Sequence, residues 1–220
     1  MPDKEEAAPA THEELVDALE ALGTATLGES GARVMRARVA PVWVGAHIAA
    51  PAYPVRCTGG DNLAIHVAVA RAPKGSALVV DVGDLREIGY WGEVLTTAAQ
   101  ARGLAGLVID GGVRDVLALE KLRFPVFAST IALRGATKDK PGAVNVPIRC
   151  GGVPVVRGDW VVGDADGVVV VPGSEIDLVV EAGRARAARE RALFQALREG
   201  KTTLRLLGLD ASSIRQGADS

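Results

Sequence analysis

The chain has 220 residues, enough for one domain with a full hydrophobic core, and its formal net charge is -2. This charge gives no general attraction to nucleic acid or to anionic membranes, so neither is expected as a partner. Hydrophobic residues make up 48% of the chain and aromatic residues 4%, which is typical of a globular α/β protein. No apolar run approaches the roughly 20 residues of a membrane span, and the acidic N-terminus does not resemble a signal peptide. We therefore expect a cytoplasmic protein.

The N-terminal quarter predicts a tail, a helix and an extended segment. Residues 1–10 are expected to be a flexible tail, and Thr11 with Glu14 forms the sequence pattern of a capping box that starts a helix. A second short helix or turn is possible at residues 24–31. Residues 39–57 are apolar and strand-like, and their three prolines indicate an edge strand or a bend.

The middle of the chain alternates between helical and strand-like segments. Helices are predicted at residues 62–70, 93–102 and 114–121, and buried strands at residues 78–82, 106–109 and 124–128. The strand at 106–109 is expected to stop at a turn formed by Asp110, Gly111 and Gly112. This order is typical of parallel strands joined by crossover helices.

The last third of the chain has a different pattern. Short strands predicted at residues 142–149, 153–156, 160–163 and 168–171 are separated by turn residues, which favours hairpins. One long helix is predicted at residues 174–200, a short one at 203–207, and a loose tail at 211–220. With no repeat or linker, the whole chain is interpreted as a single α/β domain with a mixed sheet.

Arg114 and Asp115 are the leading candidates for a functional site, because they stand side by side where a strand ends and a helix begins. A guanidinium at a helix start can hold a carboxylate, and an aspartate beside it can bind a hard cation such as Mg²⁺ or Mn²⁺. The alternative is that Asp115 simply caps the helix and Arg114 is a chance neighbour. Gly92 and Glu93 are consistent either with a ligand-binding loop or with an ordinary helix start. Asn62 is either a site residue or a helix cap.

Other cation and cofactor sites have little support in the sequence. Cys57 and Cys150 belong to no CxxC pair and are interpreted as small buried hydrophobic residues. The three histidines are scattered, which argues against zinc, and glycine-rich dinucleotide and P-loop motifs are absent. The Asp164–Gly167 segment is predicted to be a hairpin turn and not a calcium loop. The arginines of the long late helix are interpreted as a solvated face or a subunit contact.

Five motifs, taken together and in order, resemble the family of 4-hydroxy-4-methyl-2-oxoglutarate and 4-carboxy-4-hydroxy-2-oxoadipate aldolases, which also contains the regulator of ribonuclease E activity A. They are GDNLAIHVA (60–68), GYWGEVLTTAAQARGLAGLVIDGGVRD (89–115), FPVFA (124–128), RGATKDKPGAVNVPI (134–148) and GDWVVGDADGVVVVP (158–172). The resemblance covers about residues 24–209. It implies a swivelling α/β/β/α sandwich like phosphohistidine domains, assembled as homotrimers or hexamers with sites between subunits.

The resemblance also implies an activity and its residues. The activity is that of a class II pyruvate aldolase, which uses Mg²⁺ or Mn²⁺ to cleave 4-hydroxy-2-oxo acids through a pyruvate enolate, and which also decarboxylates oxaloacetate. Asp115 matches the metal ligand, Glu93 an acidic residue near metal-bound water, and Glu190 an acid given by a neighbouring subunit. The residues that match the substrate-binding groups are Asn62, Gly92, Glu93, Val94, Leu95 and Arg114.

Two further points follow from the resemblance. Residues 128–131, Ala-Ser-Thr-Ile, stand where a glycine-containing turn is expected, so Ser129 and Thr130 mark a departure that could alter the substrate pocket. The alternative function is that of a non-catalytic binding protein like the ribonuclease regulator. We favour the enzyme, because such a binder has no use for Glu93 beside Arg114 and Asp115.

Overall fold

The computed structural model describes residues 11–215. The predicted tail at 1–10 and the last five residues of the predicted tail at 211–220 lie outside this range. Helix α1 spans His12–Gly28, and the expected capping box is present, since Thr11 Oγ1 accepts from the amide of Glu14 at 3.3 Å. Gly23, with a φ of 72°, kinks the helix, and Asp164 accepts hydrogen bonds from the main chain and side chain of Thr24 directly after the kink.

The sheet and helices otherwise alternate much as predicted. The strands are β1 (Arg33–Val34), β2 (Ala40–Pro41), β3 (Ile48–Arg56), β4 (Ala77–Asp81), β5 (Gly89–Trp91), β6 (Gly106–Val113), β7 (Val126–Ile131), β8 (Ala143–Val144), β9 (Ile148–Cys150), β10 (Val153–Val155), β11 (Trp160–Asp164) and β12 (Gly167–Val171). The remaining helices are α2 (Leu63–Arg71), α3 (Glu93–Ala101), α4 (Val116–Lys121), α5 (Ile176–Arg198) and α6 (Thr203–Leu206).

Ten of these strands form one mixed sheet within the described part of the chain, in the order β1-β12-β11-β3-β4-β6-β7-β2, with β5 beside β6 and β8 beside β3. The run β3-β4-β6-β7 is parallel, as the alternation of strands and helices predicts. Strands β11 and β12 form a hairpin whose turn is the Asp164–Gly167 segment, and β9 and β10 form a second hairpin. The carboxyl ends of the parallel strands therefore lie together at one edge of the sheet.

The proline-rich segment forms two strands: β2, which contains Pro41, is an edge strand as predicted, whereas β3, which contains Pro51 and Pro54, lies inside the sheet. Its residues 48–51 pair with β11 and its residues 52–56 with β4. The strand changes partner between Pro51 and Ala52. Residues 48–51 therefore do not pair with β4, and residues 52–56 do not pair with β11. A proline, which has no amide proton to donate, is tolerated beside such a change of partner.

Strands β6 and β7 are both longer than predicted. The predicted turn at Asp110, Gly111 and Gly112 is wrong, because these residues continue β6, with an irregular register against β7. A Cβ at Gly111 would lie 2.8 Å from Val82 Cγ2, and one at Gly112 would lie 2.5 Å from the carbonyl oxygen of Ile88. The glycines thus serve close packing. Ser129 and Thr130 likewise belong to β7 and not to a turn.

The layers form an α/β/β/α sandwich, as expected. Helices α1 and α5 pack together and cover the outer face of β11 and β12 with a cluster that includes Leu19, Val162 and Val179. The larger core lies between the two halves of the curled sheet and extends to the helices α2, α3 and α4. Gly163 leaves room there for the Phe127 ring of the facing layer. Across residues 11–215, no helix has the length and apolar character to cross a bilayer.

Candidate active site

A cavity of about 200 Å³ opens at the edge of the sheet where β5 and β6 end and α2 and α3 begin. Its lining includes most of the residues predicted from the sequence, together with several that were not. They are Asn62, His66, Gly89, Tyr90, Trp91, Gly92, Val94, Leu95, Arg114, Asp115 and Lys138. Separate motifs of the chain therefore meet in one place.

Asp115 occupies the position before α4, but its side chain does not cap that helix. Its φ is 59°, in the left-handed region, and its side chain makes no hydrogen bond to the first turn of α4. Instead, Oδ2 accepts a hydrogen bond from the amide of Glu93 at 3.0 Å, and Nε of Arg114 lies 3.9 Å from the same oxygen. A residue held in this conformation without a side-chain capping bond is typical of a functional site. Asp115 is thus the N-cap of α4 by its main chain alone, and its side chain binds the first amide of α3 instead.

Gly92 allows this arrangement because it has no side chain. A Cβ at residue 92 would collide with Oδ2 of Asp115 and would also crowd Cγ of Arg114. Beyond the glycine, the first amides of α3 have no partners inside the helix. The amide of Glu93 binds Asp115, whereas Val94 and Leu95 both line the cavity, where their amides can bind an anion.

Asn62 is a buried residue whose side chain has a fixed orientation. Its Nδ2 donates to the carbonyl oxygen of Tyr90 at 2.8 Å, and a carbonyl can only accept, so Oδ1 is the atom directed elsewhere. Oδ1 is buried without a hydrogen-bond partner in the structure. Asn62 makes no capping bond to α2, whose Leu63 amide is bound by Asp61 instead. An unpartnered buried acceptor is costly, and a ligand with a hydroxyl group would satisfy it.

His66 and Lys138 are among the lining residues that were not predicted from the sequence. His66 stands one helical turn after Asn62, so the spacing of four residues on α2 could have indicated it. Lys138 comes from the segment between β7 and β8, where no spacing rule connects it to the other motifs. Tyr90 was also missed; its hydroxyl accepts from the amide of Gly60 at 2.8 Å and donates to the carbonyl of Leu85.

Glu93 and Glu190 lie outside the cavity lining. Glu93 begins α3 with its side chain exposed, next to Asp115 through the main-chain bond already described. Glu190 lies on α5, where its carboxylate forms an ion pair with Arg186, with Nε and Oε1 2.9 Å apart. A single chain therefore does not bring Glu190 to this cavity. Ser129 and Thr130 are also not part of the lining, and Ser129 Oγ donates to the carbonyl of Gly111 at 3.4 Å.

A family model of known proteins matches most of the chain. Residues 13–170 match the family model described as RraA-like: Aldolase/RraA, which is well over half of the chain. The chain belongs to the aldolase/RraA family.

Relatives of the aldolase/RraA family with similar sequences or structures are known. A Halalkalibacterium halodurans protein, provisionally named 4-hydroxy-4-methyl-2-oxoglutarate aldolase, is 36% identical over 72% of this chain and 75% of its own. A crystal structure of an uncharacterised Pseudomonas syringae protein has a TM-score of 0.79 at 28% identity, covering 92% of this chain and 96% of that one. The RNA-processing inhibitor RraA from Thermus has a TM-score of 0.60 at 24% identity, covering 75% and 94%, and so shares the fold.

The residues at the aldolase/RraA cavity suit a hydrated hard cation better than a soft or fully protein-bound one. Among residues 11–215 there is no group of three or more histidine, cysteine or acidic side chains that could hold a metal. Asp115 instead offers a partly exposed carboxylate whose Oδ1 makes no hydrogen bond or ion pair within residues 11–215, next to the exposed Glu93. Mg²⁺ is commonly bound by one or two carboxylates and keeps several waters. Burial raises the pKa of the Cys57 thiol to about 12, which disfavours thiolate ligation.

Proposed function

We propose that the chain is a divalent-metal-dependent pyruvate aldolase that cleaves 4-hydroxy-2-oxo acids. The observation that carries the proposal is the meeting of Arg114, Asp115 and the first turn of α3 in one cavity. A guanidinium, a carboxylate and free amides are the groups that bind a 2-oxo acid and stabilise its enolate. The provisional name of the Halalkalibacterium halodurans relative supports the same activity.

The 2-oxo acid end of the substrate binds where positive charge and amide groups converge. The amides of Val94 and Leu95, at the positive end of the α3 dipole, donate hydrogen bonds to the C1 carboxylate. Arg114 donates to the C2 oxygen, where negative charge grows as the C3–C4 bond breaks. The guanidinium is charged at every physiological pH, so it stabilises the enolate more strongly than the neutral ketone.

The reacting C4 hydroxyl and the C3 carbon need polar groups of their own. Asn62 Oδ1 accepts a hydrogen bond from the C4 hydroxyl and so orients the bond to be cleaved. Glu93, at the start of α3, takes the proton of the C4 hydroxyl as the C3–C4 bond breaks and returns it to C3 of the enolate. Asp115 would hold Mg²⁺ or Mn²⁺, and the cation would supply Lewis-acid stabilisation of negative charge on the substrate oxygens. Oxaloacetate would form the same enolate by losing CO₂, so decarboxylation is expected as well.

The assembled enzyme is a homotrimer or hexamer in this proposal. Glu190 then reaches the cavity of a neighbouring subunit and acts beside Glu93. The length of α5 supports this arrangement, because its second half is largely exposed in the single chain.

The deciding experiment is an assay of pyruvate release coupled to lactate dehydrogenase. The substrates are 4-hydroxy-4-methyl-2-oxoglutarate, 4-carboxy-4-hydroxy-2-oxoadipate and oxaloacetate, each with Mg²⁺ or Mn²⁺ and each with EDTA. We expect pyruvate with metal and little with EDTA. Failure to detect metal-dependent pyruvate from any of the three would refute the enzyme and leave a binding protein of the ribonuclease-regulator type.

A further inference from the structure

A second cation, Lys138, lines the cavity without an acidic partner. No ion pair in the described part of the chain involves Lys138, and its side chain is exposed to solvent. The lining otherwise contains Arg114 as a cation and Asp115 as the one carboxylate. An unpaired ammonium group beside an anion-binding site is suited to a second anionic group on the ligand.

Asp61 fixes the segment that carries Lys138. Its Oδ2 accepts hydrogen bonds from Thr137 Oγ1 at 2.7 Å, from the amide of Asp139 at 2.7 Å and from the amide of Lys140 at 3.0 Å. Oδ1 accepts from the amide of Leu63 at 2.8 Å, so both oxygens are engaged. The bonded groups stand on both sides of Lys138, and Asp61 is only 2% exposed. The main chain of Lys138 is therefore held in place from α2.

The same segment also passes Arg114, which places the two cations within reach of one small molecule. A Cβ at Gly135 would lie 3.4 Å from Nη1 of Arg114. Three residues further along, the main chain of Lys138 is at most about 11 Å from that of Gly135. With long side chains on both cations, a dicarboxylate of four or five carbons can contact the two.

His66 adds a polar atom to the Lys138 end of the cavity. Its Nε2 is buried and has no hydrogen-bond partner in the structure. Burial and, next, the charge of Lys138 lower the pKa of His66, whereas Asp61 opposes this change. The lowered pKa favours the neutral form of the ring. A neutral imidazole can donate from Nε2 to a carboxylate oxygen, which would satisfy the buried nitrogen.

We infer that Lys138 and His66 form a second anion subsite for the distal carboxylate of a dicarboxylic 2-oxo acid, and that Asp61 positions Lys138 for this contact. The inference rests on the proposed function, because the 2-oxo acid end of the ligand occupies Arg114 and the α3 amides. Substrates with a carboxylate beyond C3 are then preferred over those with an alkyl group there.

A matched pair of ligands and a matched pair of variants test the subsite by calorimetry in the presence of Mg²⁺. The ligands are 2-oxoglutarate and 2-oxopentanoate, which have the same chain length but end in a carboxylate or a methyl group. A charge-assisted hydrogen bond predicts that the wild-type protein binds 2-oxoglutarate about tenfold more tightly. Lys138→Met should lose most of this preference and keep its affinity for 2-oxopentanoate. Lys140→Met is the control, because Lys140 donates to the carbonyl of Gly59 at 3.1 Å and does not line the cavity.

A second pair of variants tests whether Asp61 positions Lys138. Asp61→Asn and the milder Thr137→Val should each reduce the preference for 2-oxoglutarate, while unchanged binding of 2-oxopentanoate shows that the site is still folded. The inference is overturned if Lys138→Met retains the wild-type preference, or if it weakens binding of both ligands by the same factor. These measurements need no turnover, so a protein that fails to release pyruvate can still support or contradict the subsite.

Discussion

At the scale of single residues, Asp115 combines an uncommon main-chain conformation with a carboxylate that its own helix does not use. Asparagine tolerates the left-handed region nearly as well as aspartate, whereas alanine does not. The role of the charge can therefore be separated from the role of the backbone. The neighbouring Arg114 offers a similar separation, because lysine keeps its charge but not its planar set of donors.

Asp115→Asn should keep the fold and lose the activity. The amide side chain cannot hold a divalent cation as a carboxylate does, so kcat should fall by about a thousandfold or more. The melting temperature should stay within a few degrees of the wild-type value, because the conformation at residue 115 is retained. Pyruvate release and thermal unfolding are measured on the same preparation. Turnover near the wild-type rate would show that Asp115 is not the metal ligand.

Arg114→Lys should also impair catalysis severely, although the positive charge remains. The lysine cannot donate to the C2 oxygen with the geometry of the guanidinium, and we expect a loss of about a hundredfold in kcat. Pyruvate release and the Kd for oxalate, a mimic of the enolate, measure the effect. A variant that retained both values would contradict the assignment of Arg114 to the C2 oxygen.

At the scale of elements, β6 ends directly before Arg114 and Asp115 and so positions them. Its glycines explain why a turn was predicted where the strand in fact continues. Local sequence rules treat Asp-Gly-Gly as a turn, because glycine usually serves backbone flexibility. Here Gly111 and Gly112 are extended residues of β6. Glycine is needed at both positions because Val82, Ile88 and other neighbours leave no room for a side chain. Such crowding depends on segments that are distant in sequence, so a local pattern cannot reveal it.

Gly111→Ala and Gly112→Ala should differ in severity. At residue 111 the added methyl group meets the Val82 side chain, which can shift, and we expect a loss of about 1–3 kcal/mol in the free energy of unfolding. At residue 112 it meets the carbonyl oxygens of Ile88 and Arg86, which cannot move without displacing the loop before β5. The second variant should therefore be less stable and less active. Urea unfolding followed by fluorescence gives the comparison, and equal stability of the two variants would contradict it.

Asp61, which binds the first amide of α2, makes the stability of the folded protein depend on pH in acid. Burial alone would raise the pKa of Asp61, but the hydrogen bonds from Leu63, Thr137, Asp139 and Lys140 outweigh it and lower the pKa below its ordinary value near 3.8. A carboxyl with a lowered pKa in the folded state contributes stability above the unfolded pKa, and this is lost as pH falls through the folded pKa. The stability difference between the wild-type protein and Asp61→Asn should thus be constant near neutral pH and shrink below about pH 4. Urea unfolding at several pH values tests this, and a constant difference down to pH 2 would contradict it.

At the scale of the whole molecule, the sequence predicted the layers better than it predicted the completed site. The capping box of α1, the parallel run of strands and the hairpin at Asp164–Gly167 all depend on local signals, and the structure confirms them. The position of β3 inside the sheet and the approach of Lys138 to the cavity depend on contacts between distant segments. His66 is intermediate, since helical spacing from Asn62 indicates it only after Asn62 is known to face a cavity. The place of Glu190 in a neighbouring site stays a prediction.

A subunit-mixing experiment tests whether Glu190 acts in the site of a neighbouring subunit. Arg114→Ala and Glu190→Gln should each be inactive alone, because one lacks the enolate-binding group and the other the acid given to its neighbour. If a site combines the two residues from different subunits, random mixing of the variants restores about a quarter of the sites. Activity is measured after the oligomers are dissociated and reassembled together, with each variant treated separately as the control. No recovery in the mixture would place the two residues in the same subunit's site or remove Glu190 from catalysis.

The hydrogen bond between Asp115 and residue 93 has a consequence for redesign of this protein. The bond uses the amide of residue 93 and not its side chain, and it needs the absence of a side chain at Gly92. Gly92 is therefore a position that mutagenesis libraries should leave untouched. Val94, whose side chain is 80% exposed, lines the cavity, and its amide is present whichever residue stands there. In the proposed binding mode, substrate range can therefore be varied at residue 94 while the main-chain contacts to the carboxylate are kept.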